Sequence, residues 1–227
     1  MTTILLQGRG RLIHARCIAA WVLLLCAWSV AGTAAAAPTV LVFGDSLSAA
    51  HGMAQSQGWV ALMRKRLAQS YPGTRVVNAS VSGETTAGGR ERFDAALRRA
   101  EPDIVVLELG GNDGLQVLDT RAMHDNLAAM IEAAQHAGAR VLLLGMRIPP
   151  NFGPVYTTRF HAVFESLAQQ YDVAYDPFFL APIADDRSHF QSDGIHPTAA
   201  VQPVLAKRVI ADLQPLLSSA HRQGDQS

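Results

Sequence analysis

Cysteine is nearly missing from this chain: its 227 residues hold two, Cys17 and Cys26. Both fall in the first 36 residues, so the rest can form no disulfide and must take its stability from an ordinary hydrophobic core. A long hydrophobic run is missing too. The apolar stretch from Cys17 to Val30 is shorter than the roughly 20 residues a membrane-spanning helix needs. There is no excess of positive charge: Lys and Arg together number 19, Asp and Glu 19. No basic stripe appears, which excludes nucleic acid as an expected partner. No repeat, linker or low-complexity stretch marks a second domain.

What is present begins with a leader. Arg9, Arg11 and Arg16 precede the apolar stretch, and Thr33-Ala-Ala-Ala-Ala37 follows it. A positive segment, a short apolar segment and a small-residue cleavage site describe a secretory signal peptide over 1–36, cut after Ala36. The alternative is a retained membrane anchor. Arg9-Gly10-Arg11 is not a twin-arginine pair, and Leu25 before Cys26 is too bulky for a lipoprotein signal. The leader takes three arginines and no acid, leaving 37–227 at net −3. About 190 residues remain, enough for one core and one domain. The expected location is the periplasm or the outside of the cell, with no membrane anchor once the signal is removed and a monomer as the default state.

Within 37–227 two patterns alternate. Short apolar runs at Val40–Phe43, Arg75–Ala79, Ile104–Leu109, Val141–Gly145 and near Val173–Tyr175 read as buried strands. Between them, apolar residues recur at helical spacing: Trp59 to Leu67, Phe93 to Ala100, Met123 to Ala134, Phe160 to Ala168 and Val204 to Leu216, the last with a bend expected near Pro215. Apolar strands alternating with helices predict an α/β fold with a five-stranded parallel sheet covered on both faces, a three-layer flavodoxin-like arrangement. A polar tail, expected to fray, occupies 218–227.

In such a fold, ligands gather at the carboxyl ends of the strands. Four polar clusters belong to that edge: Gly44-Asp45-Ser46-Leu47-Ser48, Asn78 to Thr86, Gly110-Gly111-Asn112-Asp113, and Gln191 to Pro197. Ser46, one step past a strand, is either a turn residue or a nucleophile. A serine hydroxyl needs a base. Of seven histidines beyond the leader, His124, His136, His161 and His221 sit in or beyond helical stretches, and His51 and His189 in loops. His196 stands three residues after Asp193, so a turn can let the carboxylate hold the imidazole; a plain Asp-Gly turn with a surface histidine is the bland alternative. Ser46, Gly83 and Asn112 can supply N–H donors to an oxyanion, Gly83 because it has no side chain. Asp45 and Asp113 read as loop ties, and Asn78-Ala79-Ser80 as structural rather than as a glycosylation site.

The blocks Gly44-Asp45-Ser46-Leu47-Ser48, Gly83, Gly110-Gly111-Asn112-Asp113 and Asp193-Gly194-Ile195-His196-Pro197 resemble the four blocks of the SGNH, or GDSL, hydrolases, in the family's order. The words "VVNASVSGETT", "LELGGNDGL" and "DGIHP" resemble the branch containing periplasmic thioesterase I, arylesterase and lysophospholipase. The resemblance implies a three-layer fold and acyl transfer to water from an ester or thioester. It implies Ser46 as nucleophile, His196 as base, Asp193 as its orienter, and Ser46 N–H, Gly83 N–H and the Asn112 amide as oxyanion hole. No metal and no organic cofactor is called for. One departure stands out: the branch usually has Ala-Gly-Tyr or Ala-Gly-hydrophobic after GDSLS, and here Ala49-Ala50-His51-Gly52 follows. That bears on substrate preference rather than on the reaction, and His51 is not expected to be a second base.

The apolar loop segments Gly114–Leu118 and Ile148–Pro154 offer a lining for an acyl chain, with Leu115, Ile148, Pro149 and Phe152 as contacts. For Ile148–Pro154 a rigid Pro-rich connection is an equal reading. Three alternatives bound the expectation. A metal-dependent phosphoesterase would use Asp45, Asn112, Asp113, Asp193 and His196, but only one histidine lies in the blocks. A non-catalytic binding module would lack a block. A carbohydrate O-acetyl esterase needs aromatic rings for stacking, and the loops offer chiefly Phe152 and Tyr156.

Overall fold

The computed structural model describes residues 37–224, with side chains described to Ser218. The expected leader lies outside the described residues. The five apolar runs become β1 (Thr39–Gly44), β2 (Arg75–Asn78), β3 (Ile104–Glu108), β4 (Arg140–Leu144) and β5 (Ala174–Asp176). Each strand lies within one residue of its expected limits. All pair in parallel, in the order β2-β1-β3-β4-β5. Every residue of β1 and β3 is buried, which is why neither shows polar alternation.

Among the described residues six α-helices connect and follow the strands: α1 (Trp59–Ser70), α2 (Thr86–Ala100), α3 (Gly111–Leu115), α4 (Thr120–His136), α5 (Pro154–Tyr171) and α6 (Gln202–Gly224). α1 packs on α6, while α4 packs on both α2 and α5, giving the layers above and below the sheet. Their ends follow local chemistry. The Thr85 hydroxyl accepts the Gly88 N–H at the start of α2, and the Asp119 carboxylate accepts the Arg121 N–H at the start of α4. Pro154 opens α5, where its missing N–H costs nothing.

Two features depart from expectation. α3 is a helix where a loop was expected, because two glycines in Gly111–Leu115 hide its propensity. A Cβ on Gly114 would stand 2.6 Å from Ile148 Cγ2 and 2.7 Å from Phe160 Cε2, so that glycine permits the helix to dock. The tail from 218 onward is helical as far as Gly224, since α6 continues past Pro215.

The core is built on Trp59, Phe43, Phe93, Phe160, Phe164 and Phe179, all essentially without solvent exposure. Each such side chain contributes about 1.5–3 kcal/mol by leaving water. The Phe93 ring meets Phe43 edge-on at 4.8 Å, fastening α2 to β1. Because β1 has β2 on one side and β3 on the other, the chain reverses direction there. A crevice therefore opens at the carboxyl ends of β1 and β3, where the Asp45–Ser46 and Gly110–Asp113 blocks emerge.

Candidate active site

Ser46 opens the turn that closes β1, and that turn is held from below. Glu108, the last residue of β3 and paired with Gly44 across the sheet, has no solvent exposure. Its Oε2 accepts from the Ser48 hydroxyl at 2.5 Å and from the Asp45 N–H at 3.4 Å. Burial first, and the Asp45 charge second, push its carboxyl well above the usual range. Gly44 is required here: a Cβ would stand 2.6 Å from Glu108 Oε2. Asn78 Nδ2 donates to the Ser48 carbonyl at 2.8 Å from β2, so Asn78 is a structural tie.

Asp45 is 2% exposed and ties two loops, as read from the sequence. Its Oδ1 accepts the Leu47 N–H at 3.0 Å and its Oδ2 accepts Asn112 Nδ2 at 3.1 Å. Burial raises its carboxyl to about 6, against the hydrogen bonds of Leu47 and Asn112 and the nearby His196. Asn112 Nδ2 also donates to the Glu84 carbonyl at 2.9 Å. Asn112 thus joins the Ser46 turn to the Gly83 loop, and both its amide hydrogens are engaged. Asp113 fixes the same loop from the other side. It accepts from the Thr86 N–H at 2.8 Å and from the Thr86 hydroxyl at 2.5 Å, at the first residue of α2. Arg92 pairs with Glu84 and donates to the Ala79 carbonyl at 2.6 Å.

Gly83 sits in the left-handed region, φ +81°, with nothing within 4 Å of where a Cβ would be. The bare, left-handed backbone leaves open space beside Gly83, consistent with the expectation that its lack of a side chain lets its N–H approach a ligand.

The segment that carries His196 is a tight hairpin. Gln191 N–H donates to the His196 carbonyl at 2.8 Å and Thr198 N–H to the His189 carbonyl at 2.8 Å. Between them Gly194 takes φ +72°, and Asp193 Oδ1 accepts the N–H groups of Ile195 and His196 at 2.8 and 3.0 Å. Its other oxygen lies 2.7 Å from His196 Nδ1. Partial burial works against the Asp193 charge, but the two backbone N–H groups and the imidazole prevail and lower its carboxyl to about 2. His196 Nε2 lies 2.9 Å from Ser46 Oγ. Carboxylate, imidazole and hydroxyl therefore form one continuous chain, the arrangement that activates an attacking serine.

The matching family model, a GDSL-like lipase/acylhydrolase family, spans residues 42–202, which holds every one of these groups. The chain belongs to that family. It is 50% identical over 183 residues to the esterase TesA of Pseudomonas aeruginosa, covering 81% of this chain and 91% of that one. It is 39% identical over 185 residues to the thioesterase 1/protease 1/lysophospholipase L1 of Escherichia coli, covering 82% and 88%. The solved structure of TesA aligns with TM-score 0.76 at 49% identity, over 78% of this chain and 99% of that one. The esterase EstA of Pseudoalteromonas, solved with monoethylphosphonate as inhibitor, aligns with TM-score 0.76 at 35% identity, over 80% and 99%. This GDSL hydrolase is thus an enzyme of the acyl-hydrolase class.

The expected lining residues divide. Leu115 and Phe152 are half-buried and Pro149 is exposed. Ile148 is 9% exposed and packs beneath Gly114 as part of the core. Tyr156 donates its hydroxyl to the Leu118 carbonyl at 2.8 Å, bolting the loop after α3 to α5. Among the described residues no group of His, Cys, Asp and Glu is arranged to hold a metal, and no helix is long and apolar enough to cross a membrane. Sequence reasoning missed Glu108, the Asn112–Asp45 bond and the contact of His51 with His196. The one signal for Glu108 is a lone acid inside an apolar strand.

Proposed function

We propose that this GDSL hydrolase cleaves carboxylic esters and thioesters of acyl chains through an acyl-enzyme on Ser46. The observation that carries the reading is the Asp193–His196–Ser46 chain, with contacts of 2.7 and 2.9 Å. His196 Nε2 takes the Ser46 proton as Oγ attacks the carbonyl carbon. Asp193 stays anionic, fixes the imidazole with Nδ1–H toward itself, and stabilises the imidazolium. The developing oxyanion receives the N–H groups of Ser46 and Gly83 and the amide of Asn112. Asn112 reaches it by turning the hydrogen now on Asp45 toward the substrate oxygen, while Glu84 keeps the other. One such donor is worth about 3–4 kcal/mol in serine proteases. His196 then protonates the leaving alcohol or thiol, and water repeats the sequence to release the acid.

Leu115, Pro149 and Phe152 are the proposed acyl contacts, with Ile148 supporting them from behind. The engaged hydroxyl of Tyr156 and the scarcity of other rings favour an acyl ester over a sugar acetate. No metal or organic cofactor takes part. The reading places the protein in the periplasm or outside the cell, as a monomer freed of residues 1–36.

The test is hydrolysis of p-nitrophenyl esters from acetyl to palmitoyl by wild type and Ser46→Ala, in EDTA. The expected result is EDTA-resistant activity, an optimum at medium or long chains, and its loss in Ser46→Ala. A folded Ser46→Ala at wild-type rates overturns the nucleophile. A sharp preference for acetyl moves the reading to a carbohydrate esterase.

A further inference from the structure

His51 is an exposed residue that the mechanism above does not use, yet it is built into the site from three directions. Its backbone N–H donates to the Ser46 carbonyl at 3.1 Å. Its own carbonyl accepts from Gln191 Nε2 at 2.9 Å, and that same nitrogen donates to the Pro197 carbonyl at 3.2 Å. Its ring lies against the His196 ring, with centroids 4.2 Å apart and planes 35° from parallel. One residue therefore joins the nucleophile turn, the base hairpin and the base itself.

The backbone around it is committed to that placement. Ala50 has φ +60° and Gly52 φ +72°, so His51 is bracketed by two left-handed residues. For Ala50 this conformation is strained, by an amount the surrounding structure must supply. The Ala50 side chain is 8% exposed and faces Gly58, where an added Cβ would come within 2.6 Å of its own. Its extra bulk is thus absorbed away from the site. A Cβ on Gly52 would stand 2.2 Å from Gln191 Oε1. Gln191 can close over His51 only because Gly52 is bare.

We propose that His51 is a positioning residue for His196: its ring holds the imidazole in the plane that reaches both Asp193 and Ser46, and offers an aromatic face to the imidazolium formed during attack. This rests on the reading of Ser46, His196 and Asp193 given above. His51 gives and takes no proton. The proton passes from Ser46 Oγ to His196 Nε2 and from there to the leaving group. The Ser46 hydroxyl meets His196, whereas His51 touches the hydroxyl's residue through the backbone alone. An aromatic face beside a cation favours the charged state, and proton transfer from Ser46 during attack places that charge on His196, so the contact acts on the chemical step. Because the ring is exposed, removing it leaves the folded state intact.

The experiment measures kcat and KM for p-nitrophenyl butyrate with wild type, His51→Ala, His51→Phe and Ser46→Ala, alongside their thermal midpoints. His51→Ala should lower kcat about three- to thirtyfold, the rate equivalent of a ring–cation contact, with KM changed less than about twofold. His51→Phe should recover most of the loss, because it restores a ring and no titratable group. The midpoints should coincide. Wild-type kcat in His51→Ala overturns the proposal, as does an effect confined to KM, which would make the ring a substrate contact. Failure of His51→Phe to rescue also overturns it, by assigning the effect to imidazole chemistry. Loss of activity in Ser46→Ala with any of these results leaves the triad reading standing. Retained activity in Ser46→Ala removes both.

Discussion

The two halves of the site are held in opposite ways. The Ser46 turn is buried and fastened by side chains far away in sequence: Glu108 under Ser48, Asn78 on its carbonyl, Asn112 on Asp45. The His196 hairpin is exposed and fastened mostly to itself, through Asp193 on its own backbone and Gln191 on the His196 carbonyl. The Ser46 side is thus part of the core, and its geometry follows from folding. The His196 side is a local device set down on the surface, joined to the other half by the Ser46–His196 bond and by His51. Damage to the first half should cost stability as well as rate. Damage to the second should cost rate alone.

The largest effect that tests this contrast is on the hairpin. Asp193→Asn should lower kcat by about 10⁴-fold, as the equivalent change does in the serine-protease template, because the amide no longer fixes the tautomer. Its thermal midpoint should move little, since Asp193 bonds only its own loop; a collapse of the fold would break the contrast. Asn112→Ala should lower kcat about 10²–10³-fold with KM nearly unchanged, through loss of an oxyanion donor, read by steady-state kinetics. It should also lower stability, because Asn112 joins two loops, where Asp193→Asn does not.

On the core side, Glu108→Ala should cost about 2–4 kcal/mol in guanidinium unfolding, since it strands the Ser48 hydroxyl and the Asp45 N–H and leaves a cavity. Glu108→Gln keeps an acceptor and the volume and should cost clearly less. Equal losses would mean that a charge, not a neutral acceptor, is needed there.

The smallest effect is in pH. Folding raises the Asp45 carboxyl from 3.8 to about 6, so between those values the folded chain holds a proton that the unfolded chain has lost. Its contribution to stability is therefore fully present below about pH 4 and falls as pH rises through 6, by about 1–3 kcal/mol. Unfolding measured from pH 4 to 7 should show wild type losing more stability across that window than Asp45→Asn. Parallel curves would contradict the assignment.

The sheet was legible because β1, β3 and β4 are almost wholly buried, so apolar runs leading to a glycine mark them, and all five strands lie within one residue of where expected. The convergence of Asp193, His196 and Ser46 was legible because Asp193 and His196 are neighbours in a turn and Ser46 lies just past the end of β1. What was hidden needed three dimensions. Glu108 reads as one more residue of an apolar strand until Gly44 and Ser48 are set beside it. Ile148 looks like a loop residue until Gly114 docks on it. The engagement of the Asn112 amide by Asp45 and the stacking of His51 on His196 join segments that sequence spacing cannot relate. The Ala50 departure reads as bulk in the site, whereas its left-handed backbone turns that bulk toward Gly58.

The central claim is that Ser46 carries the acyl group under the control of His196. It is tested most directly by treating the protein with a p-nitrophenyl phosphonate and locating the adduct by intact mass and peptide mapping. The account predicts one adduct per chain, on Ser46, absent in Ser46→Ala and greatly slowed in His196→Ala. An adduct on another residue, or one formed as fast without His196, would contradict it.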